Sequence, residues 1–285
     1  MTVLVTAATG QLGRLVLDHL LARGVEPTSI RAGARRDPER LSAYAAKGVE
    51  VVHLDYDDAE TVTAAMQGVD RVLLVSGSEP GIRVPQHQNV VDAAAAAGVQ
   101  QLVYTSAPKA DDTTLVLAPE HKATEELIEA SGVPATILRN NWYTENYASD
   151  LEAARATGTL VSSAGDGKVA SAPRADFAEA AAVVLTEDGH VGQVYELGGD
   201  EPWTPAELAA ALGEVLGRDV ELREVSTEEH VAILQQAGLD EGTAGFVAAL
   251  QTNTREGTLA DSDGTLSRLL GRPTVGLVDG LRPLA

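Results

Sequence analysis

The sequence predicts an α/β protein built on a doubly wound parallel sheet, with a smaller α/β part toward the C-terminus. Short apolar runs alternate with helical patterns through the first half of the chain. Strands separated by helices pair in parallel, because each helix carries the chain back over one face of the sheet. The runs VLLV and QLVY are largely apolar on both faces, as expected of parallel strands buried on both faces.

Each element of the first half follows from its residue pattern: short apolar runs indicate strands, and apolar residues three or four positions apart indicate helices. The predicted strands are 2–6, 28–34, 50–55, 71–76, 101–106 and 135–140. The predicted helices are 11–23, 38–47, 59–66, 85–97 and 121–130.

The alternation loosens after the sixth strand. The small residues of 158–170 predict a loop with short strands, and a capping-type Thr-Pro-Ala-Glu pattern begins a helix at 204. The other elements predicted here are a helix over 176–185, strands over 193–197 and 219–225, and helices across 227–270.

Composition excludes several classes of protein. The 285 residues carry a net charge of −21 and include no cysteine, so disulfides, thiolate metal sites and a cysteine nucleophile are excluded. The charge disfavours nucleic acid and anionic lipid as partners. No signal-type segment and no membrane-spanning apolar run is found. We expect a cytoplasmic protein without membrane insertion, and a homodimer is an open alternative.

The turn TAATGQLG lies between the first strand and the first helix. Such a turn brings backbone N–H groups to a pyrophosphate at a helix N-terminus, with Gly10 allowing close approach and Gly13 allowing the helix to pack on the strand. Ala7 stands where the first glycine is expected, and it is acceptable if its φ stays negative. The predicted loop residues are Ala7, Ala8, Thr9, Gly10, Gln11 and Leu12.

The end of the second strand indicates which dinucleotide is bound. An NAD site usually places an acid there, whereas this chain has Arg35-Arg36-Asp37. A guanidinium suits a 2′-phosphate by charge and by forked hydrogen bonds, so the pair favours NADPH. The alternative is a solvated arginine pair with Asp37 capping the next helix. Asp55 is predicted to lie at the adenine edge or to cap a helix.

Reductases of this fold often use a tyrosine with a lysine four residues later. That pair is missing here, since Pro108 follows Tyr104 and Tyr147 follows Tyr143 at this spacing. The six histidines form no metal-binding cluster in the sequence, and we interpret them as surface or capping residues. A hydride acceptor needing little acid catalysis therefore fits best, and a quinone is such an acceptor.

Several segments together resemble the NmrA-like group of atypical short-chain dehydrogenases/reductases. They are TAATGQLG, VSGSEPG, PQHQNVVDAAAAAGV, LVYTS, LRNNWYTENY, AGDGKVASAPRADFAEAAAVV and ELGGDEPWT. Within this group the chain is most similar to the flavin-free type 2 NAD(P)H:quinone oxidoreductases, over nearly its whole length. The resemblance implies a Rossmann domain over 1–150 that binds NADPH, a smaller substrate-binding part over 151–285 packed on it, and quinone reduction without a tyrosine–lysine pair.

The resemblance also implies roles for individual residues. Arg36 is the implied partner of the 2′-phosphate, with Arg35 beside it. Tyr104 and His121 are the only plausible proton donors. The alternative for Tyr104 is a packed strand residue, and His121 stands where some relatives carry a lysine. The residues implied to border the nicotinamide are Ser78, Glu79, Asn141, Trp142, Tyr143 and Arg174, and those implied to border the acceptor are Asn141, Tyr143 and Asn146.

Two other functions stay open at this point. A non-catalytic regulator of the same group would bind NADP(H) and thereby change its affinity for a protein partner. A reductase for another conjugated acceptor, such as a phenylpropanoid double bond or an imine, would differ only in its pocket.

Overall fold

The structure is a computed structural model that describes residues 1–77, 79 and 81–285. A seven-stranded sheet, mostly parallel, forms its centre, and a separate parallel pair of short strands completes the β-structure. The strands are β1 Val3–Val5, β2 Ile30–Ala34, β3 Glu50–His53, β4 Arg71–Leu74, β5 Gln101–Ser106, β6 Ala135–Asn140, β7 Thr159–Ser162, β8 Val194–Leu197 and β9 Glu221–Glu224.

The described residues form twelve α-helices. They are α1 Gln11–Ala22, α2 Ser42–Ala45, α3 Ala59–Met66, α4 Arg83–Ala97, α5 Ala118–Ser131, α6 Ala148–Thr157, α7 Arg174–Thr186, α8 Pro205–Leu216, α9 Thr227–Gln236, α10 Glu241–Arg255, α11 Thr265–Leu270 and α12 Leu277–Leu281. In this described part of the chain, no helix has the length and apolar character needed to cross a membrane.

The strand order of the large sheet is β3-β2-β1-β4-β5-β6-β8. The pairs from β3 through β6 are parallel, which confirms the doubly wound fold. The order reverses between β1 and β4, and open α/β sheets bind ligands at such a switch point, beyond the carboxyl ends of the strands.

One predicted helix differs from the structure observed there, and two observed helices, α6 and α12, were not predicted. The predicted helix 38–47 is a 3₁₀ turn over Pro38–Leu41 followed by the single turn α2, because Asp37 enters it in a left-handed conformation. Helix α6 was not predicted, since its buried side chains are only Leu151 and Ala154, and these leave a weak apolar pattern.

The chain divides into two compact units that interleave in sequence. The first unit comprises Met1–Ala110, Pro119–Asn140 and Arg174–Tyr195, and the second comprises Asp111–Ala118, Asn141–Pro173 and Glu196–Ala285. The predicted single boundary after residue 150 differs from this division. The reason is that α7 returns to pack on α1, within the first unit.

Candidate functional site

Hydrogen bonds from neighbouring strands hold the loop after β1 in place. Thr6 is fully buried, and its hydroxyl accepts from the Val75 amide at 3.0 Å, donates to the Leu73 carbonyl at 2.9 Å and bonds the Tyr56 hydroxyl. The Ala8 amide donates to the Gly33 carbonyl at 2.8 Å. These bonds fix where the strand ends and the turn begins.

The two glycines of the turn are required by close contacts. A Cβ on Gly13 would lie 2.6 Å from the Ala7 carbonyl oxygen and 2.8 Å from the Ala8 Cα, and one on Gly10 would lie 3.1 Å from the Ala7 oxygen. Helix α1 therefore begins directly against the turn. Gly10 and Gln11 are exposed, and the first turn of α1 contains no acid. Free N–H groups at such a helix start form a site for a phosphate group.

Ala7 adopts the conformation that its side chain disfavours. Its φ is +46°, in the left-handed region, so the condition of negative φ set from the sequence is not met. The turn keeps its shape nonetheless, because the Ala7 carbonyl accepts from the Gly10 amide at 2.9 Å. The strain is about 1–2 kcal/mol.

The two arginines after β2 have different surroundings. Arg35 lies 3.4 Å from the Glu79 carboxylate and 3.9 Å from that of Asp57. Arg36 is exposed, and its guanidinium has no hydrogen bond or ion pair with any residue that the structure describes. Arg36 is therefore the more available of the two for an anionic ligand. Asp37 does not cap the following turn with its side chain.

Asp55 follows β3 at the same edge of the sheet. Its carboxylate accepts from the Asp57 amide at 3.1 Å. The cap of α3 is instead Asp58, which accepts from the amides of Glu60 and Thr61. The helix-cap alternative for Asp55 is therefore wrong, and the adenine-edge role stays a prediction.

Hydrogen bonds from α4 and α5 hold the chain after β4 at Gly77 and at Gly81. The Arg83 Nε donates to the Gly77 carbonyl at 2.8 Å, and the other end of this guanidinium lies 3.1 Å from Glu120. Glu120 also accepts from the Gly81 amide at 2.7 Å. Glu79 is exposed, and Ser78 lies outside the described residues.

Tyr104 and His121 are brought together in the first unit. The Tyr104 hydroxyl lies 2.8 Å from His121 Nδ1. Tyr104 is fully buried and His121 is 6% exposed. Burial raises the pKa of Tyr104 well above its usual value and lowers the pKa of His121 to about 3. Both groups are therefore neutral near pH 7.

His87 corrects the sequence-based interpretation of the histidines. It is fully buried rather than a surface or capping residue. Its Nε2 accepts from the Gly77 amide at 3.1 Å, and its Nδ1 lies 2.9 Å from the Thr124 hydroxyl. The spacing of Arg83, His87 and Val90 on α4 places all three on the buried face, a periodicity that offered a signal for them.

The remaining predicted residues divide between the units. Asn141 is buried in the second unit, where its amide donates to the carbonyls of Leu259 at 3.2 Å and Asp261 at 3.4 Å, and its oxygen accepts from the Trp142 amide at 2.7 Å. Its side chain therefore serves the local structure. Trp142, Tyr143 and Asn146 are half-buried in the same unit, and Arg174 begins α7 in the first unit.

The first unit thus places most of the predicted cofactor residues at one edge of the sheet. The loop after β1, the arginines after β2, Asp55 after β3 and Glu79 after β4 follow adjacent strands. Neither unit, within its described residues, contains a cluster of histidines and acids suited to a metal ion. An exposed helix start, two close-packed glycines and an available guanidinium fit a dinucleotide that carries an extra phosphate.

Comparison with known proteins gives the family. Residues 7–188 match the model of the NAD(P)H-binding family. Quinone oxidoreductase 2 of Escherichia coli is 44% identical over 280 residues, which cover 98% of this chain and 97% of that protein. An NmrA-like oxidoreductase of Aspergillus flavus, flvB, is 31% identical over 294 residues, covering 100% of this chain and 95% of its own.

Solved structures agree with this assignment. The NADPH-dependent quinone oxidoreductase of E. coli, complexed with NADPH, superposes with a TM-score of 0.95 at 44% identity and covers 99% of both chains. The Citrobacter sp. triphenylmethane reductase, complexed with NADP(H), gives a TM-score of 0.94 at 38% identity and covers 100% of both. The resemblance seen in the sequence is confirmed: the chain belongs to the NAD(P)H-binding family, among its NmrA-like oxidoreductases.

Proposed function

We propose that this protein is an NADPH-dependent quinone reductase that transfers hydride directly to its acceptor, without flavin and without a tyrosine–lysine pair. The observation that carries the proposal is the 44% identity to E. coli quinone oxidoreductase 2 across 98% of the chain. The availability of Arg36 supports NADPH over NADH.

The residues present fit the cofactor. The exposed start of α1 at Gln11 would hold the pyrophosphate through backbone N–H groups, and Gly10, whose own amide bonds Ala7, would allow the close approach. Arg36 would bind the 2′-phosphate, and Asp55 would approach the adenine. Arg35, which already faces two carboxylates, would instead hold the segment that carries Glu79.

The sequence also provides a set of residues for the nicotinamide end of the cofactor. We propose that this set comprises Ser78, Glu79, Asn141, Trp142, Tyr143 and Arg174. Asn141 would contribute shape rather than a free amide, because its side chain bonds backbone carbonyls. Tyr143 and Asn146 would contact the acceptor, as a flat ring and an amide suit a quinone ring and its carbonyls.

The chemistry asks little of the side chains. Bound NADPH supplies a hydride, and the reduced acceptor gains aromatic stability and takes its proton from water. The protein's part is to orient the acceptor, to exclude competing reactions and to stabilise the oxygen that becomes negative. Of the two predicted catalytic residues, His121 is the one not fully buried, and Tyr104 would act through it.

Three accompanying expectations stay predictions: a cytoplasmic location, the absence of a nucleic-acid partner and the possibility of a homodimer. The net charge of −21 supports the second of these.

The test is NADPH oxidation, followed by the absorbance of the reduced cofactor, with a panel of small quinones and with NADH in parallel. We expect quinone-dependent oxidation that prefers NADPH. Arg36→Ala should raise the KM for NADPH by about 10-fold to 100-fold, the value of a charge-assisted hydrogen bond, and leave NADH unaffected. Arg40→Ala is the matched control, since Arg40 is a neighbouring exposed arginine.

Two outcomes would contradict the proposal. Tight NADPH binding without turnover on any acceptor would favour the regulator. Turnover confined to imines or conjugated double bonds would favour the third function.

A further inference from the structure

A chain of hydrogen bonds runs through the buried interior of the first unit. It begins at the Gly77 amide after β4 and continues through His87 on α4 and Thr124 on α5. Tyr104 on β5 and His121 on α5 lie beside it. His87, Thr124 and Tyr104 are fully buried, so water does not compete for these bonds.

The direction of the first two bonds follows from chemistry. A backbone N–H only donates, so the Gly77 amide, 3.1 Å from His87 Nε2, makes that nitrogen an acceptor. Burial lowers the pKa of His87 to about 3, and a neutral imidazole carries one hydrogen. That hydrogen is on Nδ1, which therefore donates to the Thr124 hydroxyl at 2.9 Å.

The hydrogen of the Thr124 hydroxyl is then committed, so Thr124 cannot donate to Tyr104, although its oxygen can accept a second hydrogen bond. The hydroxyl accepts from His87 and donates its own hydrogen to the Glu120 carbonyl at 2.9 Å. The buried Tyr104 hydroxyl also needs an acceptor. His121 Nδ1, at 2.8 Å, is an acceptor of good strength and geometry. If Tyr104 donates to Nδ1, the single hydrogen of the neutral His121 ring is on Nε2.

The other side of His121 is open. Within the described chain, its Nε2 has no hydrogen-bond partner. This nitrogen is not fully enclosed by the protein, so it remains accessible to a ligand. His121 lies near the start of α5, beside the end of β5, at the edge of the sheet where the cofactor residues gather.

We infer that His87, Thr124 and Tyr104 fix His121 in the Nε2–H form, so that it presents a neutral hydrogen-bond donor to the carbonyl oxygen of the quinone. This inference rests on the proposed function for the identity of the acceptor. His121 is then the catalytic residue, and the other three are positioning residues.

The role differs from that of a general acid. The pKa of about 3 describes loss of the second ring proton, so His121 is neutral near pH 7. The one hydrogen left on a neutral imidazole is a very weak acid, so it stabilises the negative oxygen by a hydrogen bond without being given up. In the balanced reaction, hydride transfer converts NADPH and quinone into NADP⁺ and the hydroquinone monoanion, and water then protonates that anion. Donors aimed at a developing oxyanion typically contribute about 100-fold or more to kcat.

Nitrogen-15 NMR of the histidine-labelled protein reports which ring nitrogen carries the hydrogen, and the spectrum of His121→Gln assigns the His121 signals. We expect the Nε2–H form in the wild type and a mixture of both forms in Tyr104→Phe. Tyr44→Phe is the matched control, because the Tyr44 hydroxyl bonds Asp18 rather than a histidine.

Kinetics provide the second measurement. His121→Leu should lower kcat for quinone reduction by about 100-fold with little change in the KM for NADPH, and His121→Gln, which keeps an N–H donor, should recover at least about 10-fold. An Nδ1–H form in the wild type would overturn the inference, as would an unchanged kcat in His121→Leu. If the wild type reduces no quinone, the proposed function fails, while the NMR result still decides the hydrogen-bond chain.

Discussion

Replacement of Ala7 by glycine tests the account of the phosphate-binding turn. Ala7 has φ +46°, a conformation that costs an L-residue about 1–2 kcal/mol and costs glycine almost nothing. Glycine also makes the unfolded chain more flexible, which offsets about 0.5–1 kcal/mol of this gain. We therefore expect Ala7→Gly to raise the free energy of unfolding by about 0.5–1 kcal/mol.

Urea unfolding measures this change as a higher midpoint with an unchanged slope. In a chain of this size the melting temperature should rise by about 1–4 °C. Ala8→Gly is the matched control: Ala8 is buried and its φ is not positive, so that variant should lose about 1 kcal/mol. If Ala7→Gly loses stability as Ala8→Gly does, the strain assigned to Ala7 is wrong.

Three further changes test other parts of the structure. Gly13→Ala should weaken NADPH binding by about 10-fold or more in a fluorescence titration, because its Cβ would meet the backbone of Ala7 at 2.6 Å; unchanged binding would show that α1 is not tightly packed on the turn. Thr204→Ala should lower the unfolding free energy by about 1 kcal/mol in urea, since it removes the capping box with Glu207; a loss below the error of the measurement would refute this. Burial raises the pKa of Asp150 from 3.8 to about 6, so the folded state favours the protonated form, and the contribution of Asp150 to wild-type stability should fall as pH rises through this window. Asp150→Asn should lack that fall, which is at most about 3 kcal/mol, and parallel stability profiles of the two proteins would contradict the raised pKa.

The sequence was sufficient for the architecture of the first half. Strand and helix periods alternate there without interruption, and a parallel sheet is the arrangement that satisfies them. The loop after β1 and the arginines after β2 could likewise be proposed as cofactor residues from the sequence, because their residue types carry the chemistry directly, and their roles stay predictions. The structure adds that Arg36 rather than Arg35 is available, since Glu79 and Asp57 face Arg35.

Other features depend on partners distant in the sequence. An alanine in the sequence gives no indication of a positive φ. The conformation of Ala7 therefore could not be predicted, and it is known only from the structure. His87 was interpreted as a surface residue because a histidine near the polar start of a helix is normally exposed. Its burial depends on Gly77, Thr124 and Tyr104, which belong to three other segments of the chain.

The interleaving of the two units limits how this protein can change. The chain passes from one unit to the other five times, so no single cut releases either unit as an independent fragment. A truncation after residue 150 would leave the first unit without α7, a helix with nine buried residues. Relatives therefore cannot exchange a whole unit as one continuous segment of chain. New acceptor specificities must arise by substitutions within the existing loops, each made while the cofactor-binding sheet is retained.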